Sequence, residues 1–217
     1  MRLIRPLLPL VALLLLSTCA AKTLTPLTPP TSPPPLAPRT RVLRAMGRLE
    51  AVGPDGYGSL CTAFAVAPRV YLSAAHCVAD ISTPTTILID RRPVMVEKID
   101  VARDLIRLVA YYLDKPPLTI RTAPLVLEER IFSLGYGYGW GSPIGFSHRV
   151  LLVNYPIPAD AEDTIWPGTI VSGGFVGGMS GGPLWDSAGD VVGMVQRSTP
   201  QVGYGVNAAT LLEFVAE

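Results

Sequence analysis

Residues Cys61 to Cys77 read CTAFAVAPRVYLSAAHC, and the fold turns on how this stretch is parsed. Two apolar runs, TAFAVA and VYLSAA, flank the turn residues Pro68 and Arg69. Strands joined at that turn bring Cys61 and Cys77 side by side. In an exported protein such a pair is expected to form a disulfide, and closing a loop of this length stabilises by about 3 kcal/mol. Two reduced, buried thiols are the alternative. The bond would also pin His76, the neighbour of Cys77 and one of 2 histidines in the chain. Histidine exchanges a proton near neutral pH, which suits it as general base for a hydroxyl nucleophile.

The same texture extends outward from about Arg41. TTILI, PVMVEKIDV, LIRLVAYYL, RIFSLGYG, HRVLLVNYPI, TIVSGG and DVVGMVQRS are short apolar runs separated by Gly, Pro, Asp and Ser. Many short strands at regular spacing predict an antiparallel sandwich or barrel. The one convincing helix is NAATLLEFVAE at the end, with Asn207 as N-cap and Leu211, Leu212 and Val215 on one face. Tyr112 to Pro124 reads as a connection between two halves. A chain of 217 residues, 49% hydrophobic, suits one globular domain with appendages. Its net charge of +1 gives no support for a nucleic-acid or anionic-membrane surface.

The N-terminus, MRLIRPLLPLVALLLLSTCAAK, has Arg2 and Arg5, an apolar run from Leu7 to Leu16, and then small residues. That is the layout of a secretory signal, and the run falls short of the roughly 20 residues that span a bilayer. Residues 1–18 are therefore expected to be a signal peptide and 19–40 a Pro/Thr-rich, extended tether, with the folded domain at 41–217. LSTC, Leu16 to Cys19, resembles the lipobox of bacterial lipoproteins, although Thr18 stands where the pattern prefers Gly, Ala or Ser. A lipid on Cys19 would hold the protein at the cell envelope (periplasm or outer membrane). Cleavage after Ala20 or Ala21 would release a secreted protein instead.

A second motif, GGMSGGP from Gly177 to Pro183, packs four glycines around Ser180. LSAAHC resembles the TAAHC signature of the chymotrypsin-like (trypsin-like) serine proteases, and GGMSGGP resembles their GDSGGP signature. The order of the motifs and the cysteine spacing agree, and the likeness covers Val42 to Glu217. It implies an all-β fold of two antiparallel six-stranded Greek-key β-barrels with a short C-terminal helix. It also implies a triad of His76, Asp104 and Ser180. Asp104 in RDLIRLV matches the family's aspartate pattern, with Arg107 departing from the usual apolar residue; Asp90, Asp100 and Asp114 are rivals. In such a triad the histidine takes the serine proton and the aspartate fixes the imidazole tautomer. The N–H groups of Gly178 and Ser180 would hold the oxyanion, each donor contributing about 3 kcal/mol. The implied activity is hydrolysis of peptide bonds in protein or peptide substrates, with no cofactor and no metal. A protease-fold binding module without activity is the alternative. An α/β-hydrolase built on GMSGG fails, because that fold needs a parallel sheet and places its histidine last.

By the same resemblance, Gly174 lies at the bottom of the pocket for the substrate's acyl-side residue, with Gln196, Ser198 and Gly205 in its walls. Trypsin-type enzymes carry aspartate at the first of these positions, so cleavage restricted to Lys or Arg is not expected. Many digestive members carry aspartate in place of Met179, where a freshly cut N-terminus binds it. Methionine cannot make that ion pair, so the oxyanion turn is expected to form without proteolytic activation, or through a partner. His148 is expected to be a packing or surface histidine, and GYGYGWGSPIG, Gly135 to Gly145, a turn with packing aromatics.

Overall fold

A computed structural model describes residues 36–54, 56, 58–79, 86–139, 141–158 and 165–217. The signal segment, Cys19 and most of the expected tether lie outside these residues. A helix, α1 (Leu36–Ala45), leads into β1 (Met46–Val52), β2 (Gly58–Ala67), β3 (Val70–Ser73), the short helix α2 (His76–Ala79), β4 (Thr86–Ile89), β5 (Arg92–Asp100) and β6 (Leu105–Ala110). The second half holds β7 (Arg130–Gly135), β8 (Ile144–Pro158), β9 (Ile165–Ser172), β10 (Pro183–Trp185), β11 (Val191–Ser198), β12 (Val202–Asn207) and α3 (Ala208–Ala216).

Each half closes into a six-stranded barrel, ordered β1-β2-β3-β6-β5-β4 and β10-β11-β12-β9-β8-β7. Both barrels repeat one topology, and every strand pair within them is antiparallel. The hairpin read from Cys61 to Cys77 is β2–β3, with Phe64 opposite Leu72 and Ala65 opposite Tyr71. Those four side chains are fully buried, as are Leu49, Leu105 and Leu108 around them. The barrel wraps its apolar face inward because alternate residues of each strand point the same way.

Two features differ from expectation. Helix α1 starts at Leu36, inside the stretch read as tether. Pro38 is tolerated in its first turn. The helix is held by burial of Val42 and Ala45 and by the Arg41 guanidinium, which donates to the Ala188 carbonyl (2.8 Å) and to Asp190 (2.9 Å). Arg107, the residue out of pattern on β6, donates to the carbonyls of Phe214 (3.4 Å) and Val215 (3.1 Å). It thereby caps the end of α3 and ties the first half to the last helix. The start of α3 follows the reading, since the Asn207 side chain accepts from the Thr210 N–H at 2.9 Å.

Candidate active site

Strand β3 ends in small residues, and buried Ala74 and Ala75 let the chain turn tightly into α2 with His76 at its start. The Cys61–Cys77 disulfide, with Cα atoms 6.1 Å apart, fastens that start to β2. Asp104 stands on the turn before β6. Its Oδ1 accepts the backbone N–H of His76 at 2.8 Å, and its Oδ2 lies 2.8 Å from His76 Nδ1. A carboxylate can only accept, so Nδ1 carries the proton and Nε2 is left as the basic atom. Asp104 is 8% exposed and has φ 54°, a left-handed conformation that aspartate adopts more readily than most residues other than glycine.

The rivals are occupied elsewhere. Asp100 caps its own turn by accepting from the Arg103 N–H at 2.9 Å, and Asp90 sits 2.8 Å from Lys115 Nζ. Asp114 is exposed.

Ser180 sits on a turn that only glycine permits. Gly178 has φ 93°, and a Cβ there would lie 2.3 Å from the Tyr136 carbonyl oxygen. Gly181 has φ 77°, and its Cβ would lie 2.3 Å from the Thr62 carbonyl oxygen. Thr62 on β2 clasps the turn from the other barrel. Its N–H donates to the Ser180 carbonyl and its Oγ1 to the Gly178 carbonyl, both at 2.9 Å. Met179, between them, is fully buried against Ile131, Val150, Val171, Leu184, Val192 and Val195. The Ser180 hydroxyl donates to the Gln196 carbonyl at 3.1 Å.

The sequence model of the trypsin-like peptidase domain matches residues 61–194, a span that runs from the clamped cysteine through the serine turn into β11. The chain belongs to this family. It is a serine endopeptidase of two-barrel architecture. Among solved structures, the Rv3671c protease of M. tuberculosis in its active form superposes with a TM-score of 0.76 at 23% identity, over 88% of this chain and 90% of that one. Its inactive form gives 0.71 at 22%, over 87% and 98%. The HtrA-type protease AlgW, solved with a tripeptide, gives 0.71 at 17%, over 82% of this chain and 61% of that one. No curated protein sequence matches the chain.

The peptidase places its expected pocket residues unequally. Gly174 and Ser198 come together: a Cβ on Gly174 would lie 2.7 Å from Ser198 Oγ, which accepts the Phe175 N–H at 2.7 Å. Gly205 faces the barrel interior, where its Cβ would meet Leu184 Cδ1 at 2.7 Å. Gln196 is 2% exposed, and its side chain is engaged inside the fold. Its Nε2 donates to the carbonyls of Arg103 (2.9 Å) and Asp104 (3.4 Å). A glutamine at the end of the buried run VVGMV was the available signal, because a buried polar side chain needs partners.

Two further readings are resolved. His148 is a packing histidine, with Nε2 2.8 Å from Ser133 Oγ, Nδ1 2.7 Å from the Ser172 carbonyl, and Phe146 and Phe175 beside it. Burial pushes its pKa down to about 4. Tyr138 of the aromatic loop is 66% exposed and has φ 54°. Cys61, His76 and Cys77 bring ligand-type atoms within 4.8 Å of one another, but the two sulfurs are bonded to each other and are not free to hold a metal.

Proposed function

We propose that the peptidase cleaves exported proteins or peptides with His76, Asp104 and Ser180 as its triad. The observation that carries this reading is the double grip of Asp104 on His76, at the backbone and at Nδ1. In this mechanism Ser180 Oγ leaves the Gln196 carbonyl and attacks the scissile carbonyl carbon while His76 Nε2 accepts its proton. The amides of Gly178 and Ser180, which have no acceptor among the described residues, stabilise the oxyanion. His76 then protonates the leaving amine, and water discharges the acyl group by the same steps.

The absence of charge at Gly174 supports an apolar or aromatic acyl-side residue in place of Lys or Arg. AlgW binding a tripeptide supports a peptide ligand here. Residues 1–18 act as an export signal, and a lipid on Cys19 holds the domain at the cell envelope. A labelled fluorophosphonate tests the central claim: wild type should react at Ser180 and Ser180→Ala should not. An unreactive wild type would favour a binding module. Peptide-library profiling tests the pocket, a strict Lys/Arg preference counting against it. Metabolic labelling with a palmitate analogue tests Cys19, where an unlabelled wild-type chain ends the idea.

A further inference from the structure

A cavity of about 260 Å³ is lined by Arg48, Glu50, Asp90, Arg91, Tyr136 and Gly141. It borders the serine turn. Arg48 on β1 is the register partner of Thr62 on β2, the residue that clasps both Gly178 and Ser180. The Tyr136 N–H donates to Thr62 Oγ1 at 2.9 Å, and the Tyr136 carbonyl is the atom a Cβ on Gly178 would strike. The acyl-side pocket at Gly174 and Ser198 is built from the ends of β9 and β11. This cavity is built from β1, the β4–β5 turn and the chain after β7. With the acyl half of a substrate assigned to the former, the latter is left for the leaving-group half.

The four charged lining residues, Arg48, Arg91, Glu50 and Asp90, sum to zero, and Lys115 from outside the lining pairs with Asp90. Arg48 is bound to Glu50, with Nε to Oε1 at 2.7 Å. Asp90 accepts the Arg48 N–H at 2.8 Å and pairs with Lys115 at 2.8 Å. Arg91 has no ion-pair partner among the described residues, so one cation is left over. It is also held against local preference. Asp90 and Arg91, at φ 48° and 63°, are the two loop residues between Ile89 and Arg92, a turn that favours Asn-Gly. Glycine at position 91 would relax the turn. Tyr136 offers a hydroxyl near Asp90 and Arg48; burial and the Asp90 charge raise its pKa, so it stays a donor.

We infer that Arg91 and Tyr136 form a subsite for an acidic side chain, Asp or Glu, on the leaving-group side of the substrate. The inference rests on the protease reading above. Two fluorogenic peptides differing only by Glu or Gln at the residues after the scissile bond test it. Wild type should favour the Glu peptide by about threefold to tenfold in kcat/KM, less in high salt. Arg91→Gly should abolish that preference while keeping or raising the melting temperature, and Arg91→Glu should invert it. Fluorescence anisotropy of the same peptides on Ser180→Ala gives the comparison without turnover. Equal affinity for both peptides, or a Glu preference that survives Arg91→Gly, overturns the subsite. Failure of wild type to cleave any peptide would overturn the protease reading, and the binding ratio would still decide the subsite.

Discussion

The carboxylate of Asp104 holds His76 at two points, Oδ1 on the backbone N–H and Oδ2 on ring Nδ1, both at 2.8 Å. Asp104→Asn preserves the shape but can present an N–H where Nδ1 needs an acceptor, which favours the wrong tautomer. The expected loss in kcat is about 10⁴-fold, with the fold retained by circular dichroism. A kcat within about tenfold of wild type would remove Asp104 from the triad.

The left-handed turn at Asp104 is steadied by Gln196, whose Nε2 reaches the carbonyls of Arg103 and Asp104. Its Oε1 is buried with no partner among the described residues, so the amide N–H end is the part in use. Gln196→Met fills the space and deletes the donor. Gln196 acts through Asp104, so kcat should fall about 10- to 100-fold while KM changes little. A rise in KM at constant kcat would instead make Gln196 a pocket wall.

The contrast between Gln196 and the barrels shows which parts of the structure were legible in the sequence. Short apolar runs broken by Gly and Pro mark the strands. The glycines about Ser180 are local signals too, because they answer to a backbone conformation at their own positions. The β2–β3 hairpin could be read from Pro68 and the cysteine at each end. Helix α1 could not, since LAPRTRVLRA has no strong apolar period and leans on Ala188 and Asp190, remote in sequence. Arg107 looked like a defect in an aspartate motif because its partners are the last carbonyls of α3. Gly205 was assigned by position in a motif, and only the closed barrel shows that it faces Leu184. What the sequence left illegible shares one cause: each of these features is set by a contact across the fold.

Met179 anchors the serine turn by burial, and Gly135 clears the way, since a Cβ there would lie 2.9 Å from Met179 Cα. An aspartate at this position would be a buried, unpaired charge. Met179→Asp should therefore cost more than about 4 kcal/mol or abolish folding, whereas Met179→Leu should cost less than about 1.5 kcal/mol. The same anchor predicts that the chain needs no N-terminal cut to shape its turn. Fluorophosphonate labelling of Ser180 should proceed at the same rate before and after clipping the N-terminal segment. Labelling that appears only after the cut would show that burial of Met179 is not enough.

His148 gives the acid limb of stability. Burial holds its pKa at about 4 in the folded protein, against about 6.5 for an unfolded chain. Between those values the unfolded chain binds a proton that the folded protein refuses, so folding weakens as pH falls through that window. Above about pH 6.5 both states are neutral at this site and its effect is flat. At about 1.4 kcal/mol per pH unit, the loss reaches about 3 kcal/mol near pH 4. His148→Gln can still donate to the Ser172 carbonyl and accept from Ser133, yet it carries no proton to gain. Denaturant unfolding of both proteins at pH 7 and pH 4 should show the wild type losing about 3 kcal/mol more than the variant. Parallel losses would mean that His148 takes up its proton equally in both states, and that the acid limb belongs to the carboxylates.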